Sequence, residues 1–307
     1  MQIRGCRYEV EGELYLALRS PLQIVNKTLR HKSRRMKNLF DISDKVVVIT
    51  GAYGVLGSAI SEHFAREGAK VVLLGRNVEQ GERLLEKILS EGGEAMFLKS
   101  DVLDIASLEQ NREDILARYG RIDVLINAAG GNMPKASVAP EGTIFDLDLE
   151  AVRAVVDLNL YGTIYPTMVF AKAMVENKSK RGSIINFCSE SSLRPLTRVA
   201  GYGLAKSAVM SWTKWLCGEL AMKYGDGFRV NAIVPGFIIT SQNRALLTNP
   251  DGSLTPRAEK ILGHTPYGRF LEAEEMLGTM HYLASEASRG VSGTMAVVDG
   301  GFDAFSI

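Results

Sequence analysis

Cysteine is scarce in this chain: Cys6, Cys188 and Cys217 are three in 307 residues, far apart and odd in number. Such a set argues against a disulfide framework and for a reducing, cytoplasmic setting. Histidine is nearly as sparse. His31, His63, His264 and His281 share no ligand spacing with one another or with the cysteines, so no metal site is expected. An excess of charge is missing too, because 36 Lys/Arg against 35 Asp/Glu leave a net charge of +1. That balance gives no overall attraction for nucleic acid or an anionic membrane. A membrane-spanning run is also lacking. The nearest approach, AVVDLNLYGTIYPTMVFAKAM, carries Asp157, Asn159 and Lys172, each costly in hydrocarbon, and reads as a long buried helix.

What is present suits a globular α/β protein, with 46% hydrophobic and 23% charged residues. Charge is uneven: residues 1–35 hold eight Lys/Arg and three Asp/Glu, about +5, which leaves about −4 for the remainder. The stretch RHKSRR, followed by Met36, reads as a seam between an extension over 1–35, flexible or non-native, and a domain over 36–307. A basic docking arm is the alternative. Arg19 and Pro21 interrupt its one apolar run, so no signal peptide is expected, and Glu9, Glu11 and Glu13 are wrong for a transit peptide.

From Lys45 onward, short β-rich runs alternate with helical periodicity. Strands are expected at 45–50, 70–74, 95–99, 124–128, 183–187, 229–234 and 294–298. Helices are expected at about 57–67, 78–91, 105–119, 147–177, 202–224 and 272–285. This alternation predicts one Rossmann-like domain: a doubly wound parallel sheet of seven strands with helices on both faces. Pro166 lies inside the 147–177 helix, where its ring would clash with the carbonyl of Gly162 and kink the chain.

The first βαβ unit, Lys45 to Leu74, places three glycines between strand and helix, where a dinucleotide pyrophosphate would meet a helix N-terminus. Gly51 is expected to make the tight turn and Gly54 to admit the phosphate. Gly57 is expected to let the helix pack on the strand. A second constellation is Tyr202 and Lys206, four apart on one helix face. Moving a hydride between an alcohol and a carbonyl needs an acid or base for the oxygen's proton. A phenol with a reference pKa of about 10 needs a neighbouring positive charge to serve as that base.

TGAYGVLG (50–57), NAAG (127–130), YGLAK (202–206) and PGFIIT (235–240) together resemble the short-chain dehydrogenase/reductase family, over about residues 42–303. The resemblance implies a catalytic set of Asn159, Ser189, Tyr202 and Lys206. Ser189 lies thirteen residues before Tyr202, which selects it over Ser191 and Ser192. Asn159 is the implied holder of a water beside the lysine. It further implies a nicotinamide cofactor held by Gly51, Tyr53, Gly54, Leu56, Gly57, Asp101, Val102, Asn127, Ala128, Gly130, Tyr202, Lys206, Pro235, Gly236 and Thr240. Where an acidic residue would select NAD, Gly75 is followed by Arg76, which favours the 2′-phosphate of NADP.

Three polar loops, GGNMPK (130–135), LRPLTR (193–198) and SQNRALLTNPDGSLTPR (241–257), are less apolar than an acyl or steroid pocket would need. With HTPYGRF and VDGGFDAFS they resemble the sugar-acid branch of the family, the D-mannonate oxidoreductases, whose usual cofactor is NAD. The expectation is therefore NAD(P), with Asn132, Arg198, Asn243 and Arg244 as candidate substrate contacts. Gluconate 5-dehydrogenase and 3-oxoacyl reductase activities are the alternatives, and a nucleotide sensor a more distant one. The resemblance also implies a homo-oligomer, dimer or tetramer, through the VVDGG strand.

Overall fold

The computed structural model describes residues 38–240 and 243–306. The extension over 1–35 and the seam at Met36 lie outside the described residues. Residues Leu39–Ile307 form a single compact unit.

Its seven strands are β1 Val46–Thr50, β2 Lys70–Gly75, β3 Glu94–Lys99, β4 Val124–Asn127, β5 Gly182–Phe187, β6 Phe228–Pro235 and β7 Met295–Val298. They lie in the order β3-β2-β1-β4-β5-β6-β7, and every neighbouring pair is parallel. Chain direction across the sheet reverses between β1 and β4, so the crevice for a ligand opens at their carboxyl ends.

The helices are α1 Val55–Arg66, α2 Val78–Ser90, α3 Ile105–Tyr119, α4 Leu149–Val156, α5 Gly162–Glu176, α6 Glu190–Leu193, α7 Ala200–Tyr224, α8 Arg244–Leu247, α9 Pro256–His264 and α10 Leu277–Ala284. Alternation of side chains along β1 explains why both faces are covered. Val47 and Ile49 join Ile60 and Phe64 of α1 in one core, while Val46 and Val48 join Leu108, Ile115 and Phe170 in the other.

Differences from the sequence reading fall at helix ends and in loops. The expected 147–177 helix is interrupted at Asp157–Tyr161 by one wide π turn, between α4 and α5. The irregularity thus precedes Pro166 by about a turn, because α5 restarts at Gly162, the residue whose carbonyl the proline cannot serve. The expected 272–285 helix splits into a 3-10 turn, Ala273–Met276, and α10. Helices α6, α8 and α9 are absent from the sequence reading, since two have four residues and α9 only nine, too short for a clear period.

Candidate active site

At the carboxyl end of β1 the chain turns through Gly51 with φ +64, a left-handed conformation suited to glycine. A Cβ there would come within 2.9 Å of Ala129 Cα, so the turn also lies against the loop after β4. A Cβ on Gly57 would sit 2.2 Å from the Gly51 carbonyl oxygen, which forces α1 to start hard against the turn. Gly54 is less crowded, its nearest neighbour being the same oxygen at 3.4 Å. It precedes α1 without any side-chain cap, leaving the first helical N–H groups available to an anion. Thr50, unremarked in the sequence reading, is fully buried, and its hydroxyl accepts from the Ala128 and Ala129 N–H groups at 3.1 Å each.

The second edge of this crevice is set by Tyr53. Its hydroxyl accepts from the Asn77 N–H at 2.7 Å, and a Cβ on Gly75 would collide with its ring at 2.1 Å. Gly75 is therefore glycine because Tyr53 lies across the end of β2. Arg76 is exposed, with no hydrogen bond or ion pair among the described residues. Asp101 accepts from Leu103 N–H at 3.0 Å, and Val102 is buried where a Cβ on Gly162 would meet it at 2.9 Å. Leu56 packs on the core beneath.

The Asn127 side chain does not line the crevice. It is 1% exposed and turned inward, donating to Thr167 Oγ1 at 2.8 Å and Asn186 Oδ1 at 2.9 Å, so only its backbone faces the crevice side. Asn186 donates in turn to Thr213 Oγ1 at 2.9 Å, and the chain of amides and hydroxyls ties β4 and β5 to α5 and α7.

The candidate catalytic set converges above β5. Ser189 caps α6, accepting from the Ser191 N–H at 3.2 Å. Ser192 is committed to the Ser189 backbone, and both Ser191 and Ser192 are buried, whereas Ser189 is partly exposed. Ser189 is thus the one of the three serines with an exposed side. The Ser189 hydroxyl is near enough to the Tyr202 phenol to lower its pKa, and the Lys206 Nζ lies 5.6 Å from the Tyr202 ring centroid. Lys206 is 3% exposed and donates to the Phe187 carbonyl at 2.8 Å.

Asn159 sits in the π turn, fully buried. Its amide nitrogen donates to the Gly131 carbonyl at 2.7 Å and the Val155 carbonyl at 2.8 Å, and its oxygen accepts from Gly131 N–H at 3.1 Å. With both amide protons and its oxygen engaged, this side chain holds the loop after β4. A Cβ on Gly130 would fall 2.7 Å from that oxygen and 3.3 Å from Lys206 Nζ, so glycine there lets Asn159 and Lys206 close in.

Charges in the set run against the simplest expectation. Burial holds the Tyr202 phenol above its ordinary range, and the Ser189 hydroxyl pulls it down. Burial lowers Lys206 to about 8, and the same cause raises the neighbouring Cys188 thiol to about 11. Lys206 alone therefore does not make Tyr202 a strong base. Added positive charge beside the pair is what lowers a phenol further.

Loops toward the substrate side sort the remaining candidates. Pro235 and Gly236 close β6, where a Cβ on Gly236 would meet Asp299 Cα at 2.5 Å. The Asn243 side chain accepts from Thr240 N–H at 2.7 Å and donates to the Ile238 carbonyl at 2.8 Å. It folds its own loop, which spends one amide proton and one acceptor position. Arg244 is exposed at the start of α8. Asn132 donates to Ser137 Oγ at 2.9 Å, while its oxygen is buried without a partner among the described residues. Arg198 donates through Nε to the Val138 carbonyl at 2.7 Å.

Among the described residues no cluster of His, Cys, Asp or Glu could hold a metal ion, and no helix is long and apolar enough to cross a membrane.

A parallel sheet with a glycine turn at its switch point and a Ser-Tyr-Lys set beside it defines a nicotinamide-dependent alcohol–carbonyl oxidoreductase. The chain belongs to the short-chain dehydrogenase/reductase family: the family model described as enoyl-(acyl carrier protein) reductase matches residues 51–303. An oxidoreductase of Bacillus subtilis, UxuB, is 42% identical over 275 residues, covering 87% of this chain and 97% of that protein. The structure of a candidate D-mannonate oxidoreductase of Haemophilus influenzae, with bound NAD, superposes with a TM-score of 0.81 at 40% identity over 87% and 97% of the two chains. A gluconate 5-dehydrogenase of Burkholderia cenocepacia, in complex with NADP and tartrate, gives 0.77 at 30% identity over 87% and 98%. The enzyme uses NAD(P).

Proposed function

We propose that the enzyme interconverts D-mannonate and D-fructuronate, with Tyr202 as the acid and base. The observation that carries the chemistry is the convergence of Ser189, Tyr202 and Lys206, in which the Ser189 hydroxyl lowers the phenol's pKa and the buried Lys206 Nζ lies 5.6 Å from its ring centroid. Support for a sugar acid comes from the polar loops and from the likeness to the Haemophilus protein.

The crevice fits a dinucleotide. The crowded Gly51 and Gly57 and the uncapped N-terminus of α1 form a cradle that added side chains would fill. Gly51, Tyr53, Gly54, Leu56 and Gly57 would hold the pyrophosphate side. Asp101, Val102 and the backbone of Asn127, Ala128 and Gly130 would border the adenosine, and Pro235, Gly236 and Thr240 the nicotinamide. When bound, the nicotinamide supplies or accepts the hydride. Ser189 orients the substrate oxygen against Tyr202, which donates its phenolic proton as the carbonyl becomes an alcohol and accepts it in reverse. Lys206, with Asn159 behind it, holds positive charge near the phenol.

The decisive experiment is turnover of D-fructuronate against 5-keto-D-gluconate, a 3-oxoacyl thioester and simple polyols with both cofactors. Preference for a neutral or acyl substrate would sink the sugar-acid reading. The exposed Arg76 is proposed to meet a 2′-phosphate, so Arg76→Asp should shift the ratio of kcat/KM at least tenfold toward NAD, through lost attraction and new repulsion. An unchanged ratio would leave Arg76 a surface residue.

A homo-oligomer is also proposed. Met168 on α5 and Leu204, Trp215 and Met222 on α7 are 56–80% exposed, an apolar surface that a second copy would cover. Cytoplasmic placement is supported by the free Cys188 and Cys217.

A further inference from the structure

The three polar loops meet at one place. Val138, in the loop after β4, donates through its N–H to the Arg198 carbonyl at 3.0 Å, and Arg198 Nε returns a bond to the Val138 carbonyl at 2.7 Å. From the third loop, Arg257 reaches the neighbouring Thr197, donating to its Oγ1 at 2.8 Å and its carbonyl at 3.3 Å. Two guanidiniums are thereby brought together, near enough that Arg198 adds to burial in lowering the Arg257 pKa.

Their surroundings do not offset this repulsion. Neither arginine forms an ion pair with a carboxylate among the described residues, and both are only partly exposed. Arg257 occupies the first turn of α9, where the helix dipole disfavours a cation and favours an anion. Arg198 has φ +75, a left-handed backbone that a residue with a side chain adopts under strain. Strain, like charge and a helix N-terminus converge on the loop that joins Ser189 to Tyr202.

We propose that Arg198 and Arg257 together form the subsite for the substrate's carboxylate, with Arg257 a specificity-determining residue of this enzyme. The proposal rests on the sugar-acid reading for its ligand, but its geometry is independent of Arg244, which lies exposed on α8. A carboxylate accepts from two guanidiniums at once, offsets their repulsion and draws the three loops together around the substrate. Arg198 has Nε tied to Val138, which leaves its terminal nitrogens to turn toward the ligand.

The test compares D-mannonate with D-mannitol, its uncharged counterpart, on the full chain. Arg257→Gln and Arg198→Gln should each raise KM for D-mannonate about tenfold or more with a smaller change in kcat, since each removes a charge-assisted bond. The effect on D-mannitol should be much smaller, and Arg257→Lys should recover part of the loss. Thr197→Val removes the Oγ1 half of the tie between the loops but keeps both charges, and should affect the two substrates alike. Calorimetric binding of D-mannonate to the cofactor-loaded enzyme reads the subsite without turnover. Arginine-dependent binding without turnover would overturn the proposed activity and keep the subsite. Equal effects of Arg257→Gln on both substrates, or no D-mannonate binding by the unaltered enzyme, would overturn the subsite.

Discussion

Tyr202→Phe should lower turnover by roughly 10²- to 10⁴-fold, the usual contribution of a positioned acid or base, while cofactor affinity is retained. The ring still packs beneath Lys206, and only the exchangeable proton is lost. Steady-state rates give the first quantity and fluorescence titration of the reduced cofactor gives the second. Direction matters for pH. Burial raises the phenol, so Tyr202 is protonated at neutral pH and ready as the acid for carbonyl reduction. Alcohol oxidation needs the phenolate and should rise with pH, and Lys206, lowered to about 8, begins to lose its charge in the same alkaline range. Turnover by Tyr202→Phe within a few-fold of the unaltered enzyme would remove Tyr202 from the mechanism.

Glu190→Gln should stabilise the protein at pH 7 by about 3 kcal/mol, a rise in Tm of roughly 6–10 °C. Glu190 is the first residue of α6, directly after Ser189, and is 2% exposed with neither carboxyl oxygen hydrogen-bonded among the described residues. Burial, with Asp299 and then Asp303 adding repulsion, raises its pKa from 4.5 to about 8, against a smaller opposing effect of Arg194. An acid with a raised folded-state pKa makes the folded protein bind the extra proton. Stability is thus unaffected below about 4.5 and falls as pH climbs toward 8. Glutamine removes that slope, so the gain should vanish near pH 4.5. A gain that is the same at both pH values would show that Glu190 ionises freely in the folded state.

Much of the architecture was legible along the chain. Seven apolar runs with helical periods between them are a local pattern, and parallel strands buried on both faces must show it. The glycine turn and the candidate residues Tyr202, Lys206 and Ser189 could be picked out for a similar reason, since their spacing is set within one turn, one helix face or one strand-to-helix junction. Less visible were Thr50, which holds the loop after β4, and Tyr53, whose ring explains Gly75. Their roles depend on atoms brought from other strands. Asn127 and Asn243 looked like ligand contacts because an amide in a polar motif carries no sign of where it points. Burial turns the first into the core, and the second closes its own loop.

Residue order alone therefore determined the sheet, the glycine turn and the Tyr202–Lys206 pair, because periodicity and short spacing act over a few residues. Folding decided which side chains are spent inside the protein, what the burial of Lys206 and Glu190 does to their protons, and which arginines meet. Arg198 and Arg257 are 59 positions apart, and no local pattern links them. Only the packing of the loops brings Arg257 to Thr197, beside Arg198, and electrostatic energy depends on distance through space rather than along the chain.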